Sequence, residues 1–413
     1  MKIWLLQIGE LLPLQTGTRR LRTAMLADKL TERGHNVLWW ASAFDHFGKK
    51  WIFSKDMEFQ VNERLRIKAL KGMGYRKNIS LSRFIDHRMI AWKFRRFADG
   101  IEKPDVIVAS MPSYDLAFEA ARYAKKYGIP VIVDIRDQWP DIFIENVPQR
   151  FRGMARVILK REFLMVKSLL GMADGLLSMT DPLLEWGLSY AGREKTWKDN
   201  VFYLGYLKGE VSHDQHAGKI YELGKALSGK FVVTFVGTFG TYHNPSLLID
   251  CAKEFEGQDI RFVLAGDGEL LQELKEKASS LSNVFLPGWL DQDQITVLLK
   301  HSHIGVCPSG QIENKVFFPN KAFSYLAEGL PILSSFRGEI EEIIDKYKVG
   351  YSYNNLESLV KSIRTLYNNP ELYRQMSAKA LRLFREKFDA DKIYVEYAEH
   401  VEKIVKDTFR KGI

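Results

Sequence analysis

One rhythm governs this sequence: a short, almost wholly apolar run, a turn, then a helical stretch, many times over. MKIWLLQI, NVLWWAS, DVIVAS, PVIVDI and GLLSMT form a first series, and VFYLGY, KFVVTFVG, IRFVLAGDG, NVFLPG, HIGVCP and LPILSS a second that begins after residue 200. Because these runs are largely apolar rather than alternating, they read as strands buried on both faces. The stretches between them have helical patterns. One of these, TRRLRTAMLADKLTERG, closes on Gly34, which suits the left-handed turn just past a helix end. Strand–helix alternation predicts a parallel sheet covered by helices on both faces. A chain of 413 residues is too long for one compact core, so the restart predicts two consecutive doubly wound α/β domains. The polar, glycine-bearing stretch near residues 204–230 reads as their boundary, and a helical segment runs from about Asp389 to Ile413. Trp51 to Phe97 is basic, aromatic and poor in strand-like runs, and reads as an insertion after the second strand.

The charge is unevenly spread. Residues 1–200 carry 34 Lys+Arg against 23 Asp+Glu, a balance of +11, and residues 201–413 carry 26 against 28, a balance of −2. A basic half joined to a neutral one predicts that one domain faces something anionic, either nucleic acid or phospholipid. No recognised nucleic-acid module accompanies it. Cys251 and Cys307 both sit inside apolar runs, which fits buried free thiols in a reducing compartment better than a disulfide or a metal site. No apolar stretch approaches the ~20 residues that span a bilayer. The start, MKIWLLQIGELLPL, has the basic residue and apolar run of a signal peptide, but Glu10 and the lack of a small-residue cleavage site favour a buried first strand. A cytoplasmic location is expected.

Ligands of open parallel sheets bind beyond the C-terminal ends of the strands, and three loops of the second half stand there. Gly237-Thr238-Phe239-Gly240 follows a strand directly; its glycines let backbone approach a ligand and offer N–H groups to phosphate. It is not GxGxxG, which disfavours a dinucleotide oxidoreductase. Gly266-Asp267-Gly268-Glu269 is a second such turn, though Asp there also caps and turns for purely structural reasons. Pro319-Asn320-Lys321 opens a helix that continues through Ser324 and Glu328. A lysine in the first turn opposes the helix dipole. That cost has a rationale where an anion occupies the helix start; on charge logic alone a solvated surface lysine reads equally well.

The segment PNKAFSYLAEGLPILSS with the following Arg337-Gly338-Glu339 resembles the donor-site segment of family-4 glycosyltransferases. It is nearest to the bacterial surface-polysaccharide group, whose members show P-[SN]-K-x-F-E-Y-[LM]-A-x-G-x-P. IGELLPL, ASAFDHFGK, VDIRDQWPDIF, VGTFGTYHNP, LAGDGE and NVFLPGWL agree with that group in the same order, so the likeness runs over nearly the whole chain. It implies the GT-B fold, two Rossmann-like domains facing across a cleft. Residues 1–204 would bind the acceptor, with the helix of residues 390–413 packed back on them, and residues 205–389 would hold a nucleotide-sugar, by default UDP-linked.

By the same resemblance Lys321 neutralises the donor diphosphate, with Gly237, Thr238 and Gly240 beside it and Pro319 and Asn320 leading in. Gly266, Asp267, Gly268, Glu269 and the loop Gly288-Trp289-Leu290 line the base. Gly9 lies close to the donor phosphates, and Arg136, Asp137 and Trp139 lie near the transferred sugar. The family's ribose-binding glutamate is Ser324 here, with Glu328 four residues on along the same helix face. The first acidic residue of the wider E-x7-E pattern falls at Val316 and is absent. A retaining, metal-independent transfer without a cofactor follows, in which the leaving phosphate takes the acceptor proton. On residues alone, Arg136 with Asp137 also reads as an ion pair bracing its loop, and His46 reads equally as a capping or packing histidine or as a ligand contact.

Two basic segments interleave large apolar residues. Arg83, Arg88, Lys93, Arg95 and Arg96 lie among Phe84, Met89, Ile90, Trp92, Phe94 and Phe97, and RFRGMARVILKREFLMVKSLL has the same character. They suit an anionic membrane surface on the cytoplasmic side, or else a core face with solvated charges. The implied acceptor is then a lipid-linked saccharide in surface polysaccharide synthesis. The departures at Ser324 and Val316 keep open a non-catalytic relative that binds a lipid-linked glycan or a partner enzyme.

Overall fold

The computed structural model describes residues 1–14, 18, 20–78, 80–145, 147–208, 224–240, 242–310 and 318–410. It divides into two units, Met1–Tyr203 with Lys392–Ile413, and Leu204–Asp391. Each is a Rossmann-like α/β domain.

The first unit is built on strands β1 (Lys2–Leu6), β2 (Asn36–Ser42), β5 (Met57–Asn62), β6 (Leu65–Leu70), β7 (Val106–Ser110), β8 (Val131–Ile135), β9 (Gly175–Ser178) and β10 (Asn200–Val201). Two short strands, β3 (Phe44–Asp45) and β4 (Lys50–Trp51), pair separately as a hairpin. The sheet order is β10-β9-β8-β7-β1-β2-β6-β5, parallel throughout except for β5. Every residue of β7 and β8 is buried, the polar Ser110 and Asp134 among the apolar majority. Trp4 and Trp40 meet edge-to-face at 5.4 Å under Phe94 of the crossover helix Leu81–Ala98. Gly34 follows the helix Arg22–Glu32 with φ 86°. The helix Ala390–Arg410 buries Tyr394, Tyr397, Val401 and Ile404, and Tyr397 stacks on Phe202 at 4.7 Å.

Two expectations change here. The stretch from Trp51 to Phe97 is no insertion: β6 lies beside β2 in the main sheet, and Leu81–Ala98 is the crossover that follows it. Its strand escaped notice because Leu65–Leu70 alternates, Arg66 exposed and Lys68 half-buried on one face and Leu65, Ile67 and Ala69 fully buried on the other. VFYLGY is not the first strand of the second series: only its Val201 is in a strand, Asn200–Val201, paired to β9 at the edge of the first sheet.

The second unit carries β11 (Phe231–Val236), β12 (Ile260–Ala265), β13 (Val284–Gly288), β14 (Ile304–Cys307), β15 (Ile332–Ser334) and β16 (Gly350–Ser352). All pair in parallel in the order β13-β12-β11-β14-β15-β16. The chain leaves β11 to one side and returns to its other side as β14, so the switch point lies between these two strands, the place where such sheets bind ligands. In the first unit the corresponding point lies between β1 and β7. Much of the proposed boundary, residues 209–223, lies outside the described residues, as do Val316 and Phe317. Among the described residues no helix is long and apolar enough to cross a membrane.

Candidate functional site

At the switch point of the second unit, three loops are tied together by their own backbones. Gly237 N–H donates to Ala265 O at 2.9 Å, Phe239 N–H to Asp267 O at 2.9 Å, and Gly266 N–H to Gly288 O at 2.8 Å. Such close approach excludes side chains: a Cβ on Gly266 would fall 1.8 Å from Gly237 O, and one on Gly268 2.2 Å from Phe239 O. Both glycines also have φ near +150°, a conformation that costs any other residue strain. Gly240 N–H donates to His243 O at 2.9 Å. The amides of Gly237 and Gly240, expected to face phosphate, are therefore already engaged, and what these glycines contribute is the missing Cβ. Thr238 is exposed, and its N–H makes no hydrogen bond among the described residues.

The helix Lys321–Ala327 is fastened across the switch point by Tyr325. Its hydroxyl accepts from Val236 N–H at 3.0 Å and donates to Val306 O at 3.3 Å, joining the ends of β11 and β14. The ring lies over Gly305, where a Cβ would sit 2.3 Å away. This anchor sets Lys321. Its Nζ lies 4.9 Å from the centre of the Phe235 ring, and a Cβ on Gly237 would come within 3.2 Å of it. Burial pushes the ammonium down to about 8, and among the described residues it has neither hydrogen bond nor ion pair. His243, between the Phe235 and Phe336 rings, is pushed down to about 4 by burial and by Lys321, and stays neutral. Buried Cys307 is raised to about 12, which leaves it a thiol rather than a nucleophile.

Several expected contacts turn out differently. Asn320 is the N-cap without a side-chain bond, while Ala322 and Phe323 N–H close back on Pro319 and Asn320 carbonyls at 2.9 and 3.3 Å, so these first-turn amides are not free for an anion. Ser324 Oγ donates to Lys321 O at 2.8 Å, which leaves only its lone pairs for a ligand. Glu328 stands at the far end of the helix, where its carboxylate lies 3.1 Å from Lys208 Nζ; it is in no position to stand in for the glutamate that Ser324 replaces. Leu290 is buried against Val263 and Leu298, so its side chain is core. Trp289 next to it is 73% exposed. Asp267 is also exposed, its Oδ1 accepting from Gly268 N–H at 2.7 Å.

The first unit holds the remaining predicted residues. Gly9 follows β1, and its N–H donates to Gln7 Oε1 at 3.3 Å. Four of the five N–H groups of Arg136 are engaged: Nε bonds Asp134 at 2.8 Å, Nη2 bonds Thr23 Oγ1 and Ser110 Oγ at 2.9 and 2.8 Å, and Nη1 pairs with Glu10. Arg22 grips the other side of fully buried Asp134 at 2.8 Å. Burial opposes the charge on Arg136, and Asp134 and Glu10 outweigh it. The assignment of Arg136 to the sugar is thus corrected: it braces the ends of β1, β7 and β8. The partner expected for it, Asp137, instead accepts from Gln138 N–H at 2.8 Å and Trp139 Nε1 at 3.1 Å, with its pKa raised by burial. Sequence reading passed over Glu10, Arg22, Asp134 and Tyr325. A charged residue inside or just past an apolar strand, as Asp134 is in VIVDI, was the available signal.

Both basic segments expose apolar residues, the first at Leu81, Ile85, Met89 and Trp92. In Leu81–Ala98, Ile90 and Phe94 are core, Lys93 pairs with Asp56 at 2.7 Å, and Arg88 with Glu162. In the helices Arg152–Ile158 and Lys160–Met172, Met154, Val157, Ile158 and Leu164 are 58–72% exposed among basic residues.

Residues 224–382 match the family model described as Glycosyl transferases group 1. That match takes in Lys321, Gly237 and every other site residue of the second unit. An uncharacterized glycosyltransferase of Haemophilus influenzae is 32% identical over 153 residues, 35% of this chain and 40% of that protein. A GDP-mannose-dependent alpha-(1-6)-phosphatidylinositol dimannoside mannosyltransferase of Mycobacterium tuberculosis is 30% identical over 123 residues, 30% of this chain and 31% of that protein. The chain thus spans less than half the length of these curated relatives. Among solved structures, HepE of Anabaena in complex with UDP superposes with a TM-score of 0.66 at 14% identity, covering 98% of this chain and 100% of that one. The shared fold is of the GT-B type.

Proposed function

We propose that this protein is a glycosyltransferase that moves a sugar from a nucleoside diphosphate sugar to a lipid-linked saccharide, with retention and without a metal, in surface polysaccharide synthesis. The observation that carries this reading is Lys321: a partly buried ammonium with no hydrogen bond or ion pair among the described residues, held at a switch point against a glycine whose Cβ would crowd it. An isolated buried cation is costly unless something anionic completes it. A diphosphate does so.

In the reaction the bond between the anomeric carbon and the diphosphate oxygen breaks, and a bond to the acceptor hydroxyl oxygen forms on the same face. The proton of that hydroxyl passes to the departing diphosphate. Lys321 stabilises the charge that grows on the leaving group. Exposed Trp289 offers a ring face for the base, at the end of β13. UDP is the favoured nucleotide because HepE, of like fold, was solved with it. The amphiphilic acceptor draws support from the phosphatidylinositol dimannoside mannosyltransferase and from the exposed apolar ridge at Met154, Val157, Ile158 and Leu164, which with Arg152, Arg156 and Lys160 suits a peripheral position on an anionic, cytoplasmic membrane face.

Thermal melting with a panel of nucleotides and nucleotide sugars tests the donor: UDP or its sugars should raise the midpoint, and Lys321→Ala should abolish the shift. No shift with any nucleotide would sink the reading. Ser324 in place of the family glutamate favours a second reading, a donor-binding protein that does not turn over. Binding with no transfer to lipid-linked acceptors would select it.

A further inference from the structure

In the first unit Lys49 and Arg83 converge on the same two residues. Lys49 Nζ lies 4.8 Å from the centre of the Tyr75 ring and bonds Asn78 Oδ1. Arg83 Cζ lies 5.4 Å from that ring, and its Nη1 donates to Asn78 O at 2.8 Å. Arg83 also covers Trp139, 4.5 Å from its ring centre. Two imidazoles close the group: His46 Nδ1 lies 2.6 Å from the Tyr75 hydroxyl, and His87 stacks on Trp139 with centroids 6.0 Å apart. Burial and then the charge of Arg83 push His46 down to about 4 and His87 to about 3, so neither adds charge.

The carboxylates nearby are engaged with N–H groups. Asp86 accepts from Met73 and Gly74 at 2.7 Å each, Asp137 from Gln138 and Trp139, and Asp45 from Phe47 at 2.9 Å. Among the described residues neither Lys49 nor Arg83 has an ion pair. Burial disfavours both charges, and Arg83 disfavours that of Lys49; Asp45 acts the other way on Lys49, and Tyr75, Asp137 and Asp86 on Arg83, without cancelling the burial. The Lys49 backbone is left-handed, with φ 51°, a conformation few non-glycine residues adopt. The two like charges repel, and Asp45, Asp86 and Asp137 offset burial and repulsion only in part. An anion between them removes that repulsion.

We infer that Lys49 and Arg83 form the seat for an anionic oxygen group, phosphate or carboxylate, carried by the acceptor. Arg83 Nε is engaged with His87 at 3.4 Å and Nη1 with Asn78; the N–H groups that remain on the guanidinium take an oxygen, and the lysine supplies a point charge. The word acceptor rests on the transferase reading; the seat itself does not.

Calorimetric titration of the full chain carrying Lys321→Ala, which removes the cation of the second unit, tests this with inorganic pyrophosphate, glucuronic acid and glucose at low salt. At least one of the two anions binds more tightly than glucose, and adding Arg83→Gln or Lys49→Gln weakens it about tenfold or more. Arg83→Lys, which keeps the charge but not the planar donor set, loses less affinity than Arg83→Gln. Pyrophosphate as the tighter ligand assigns the seat to a phosphate-bearing acceptor, and glucuronate to a carboxylate-bearing one. The seat is refuted if neither anion binds, if glucose binds as tightly as glucuronate, or if Arg83→Gln and Lys49→Gln both leave affinity within about twofold. Melting curves separate lost binding from lost fold, and Lys49→Gln stays readable should Arg83→Gln not fold. Nucleotide binding by the unsubstituted chain is measured separately, so failure of the transferase reading leaves this titration standing.

Discussion

A Cβ on Gly237 would lie 3.0 Å from Lys321 Cε and 3.2 Å from Nζ, so the glycine and the lysine occupy adjoining space at the end of β11. Gly237 also has φ 152°. Gly237→Ala therefore meets both a crowded contact and a disfavoured backbone. We expect it to fold with a stability loss of about 1–3 kcal/mol and to bind nucleotide sugar at least about tenfold more weakly. Thermal melting and titration on one preparation check both. Unchanged affinity would show that Lys321 does not sit where the ligand does.

The lysine predicts a pH dependence of definite sign. With its pKa down to about 8, Lys321 is mostly protonated at neutral pH and loses its charge as pH rises through that value. A diphosphate binds the charged form and raises the pKa in the complex. Affinity for a nucleotide sugar, which has no terminal phosphate to titrate, should be level below about pH 7 and fall up to tenfold per unit above about pH 8. Lys321→Ala should bind weakly with a flat profile. A wild-type profile flat up to about pH 9.5 would separate binding from this ammonium.

Tyr325 is expected to matter through the fold. Tyr325→Phe removes the acceptor for Val236 N–H and the donor to Val306 O at the site's base. A buried polar group left without its partner costs about 1–3 kcal/mol, so the melting temperature should fall measurably. Nucleotide affinity should weaken in step, because the same helix carries Lys321. A stable variant with full affinity would show that the bridge is dispensable.

What could be read in the sequence follows its physics. Strands buried on both faces announce themselves as apolar runs, and β1, β2, β7 and β8 lie where such runs stand. β6 does not, because its partner β5 sits at the sheet edge and one face stays wet, so that Arg66 and Lys68 interrupt the run. Lys321 is legible as a cation placed against its own helix dipole. Its neighbours are not: whether Leu290 or Trp289 turns inward, or whether Glu328 meets Lys208, depends on contacts between residues far apart in the chain. Gly237 was legible as a glycine, but its engaged N–H and its missing Cβ call for coordinates.

Arg136 offers the sharpest separation of structure from chemistry. Its guanidinium is spent on Asp134, Glu10, Thr23 and Ser110, and Asp134 is wholly buried between it and Arg22. Arg136→Ala takes its ion pair from Glu10, which keeps only Thr23 N–H and Oγ1, and one of two ion pairs from Asp134, which keeps Arg22; breaking a buried pair from one side typically costs about 3–5 kcal/mol. We expect a large fall in melting temperature, most of it recovered by a Glu10→Gln, Arg136→Met double substitution that removes one carboxylate charge along with the guanidinium. Restored stability with restored transfer fits a brace. Restored stability with transfer still absent would instead show that the guanidinium acts on the sugar, and would return Arg136 to the role that sequence resemblance implied.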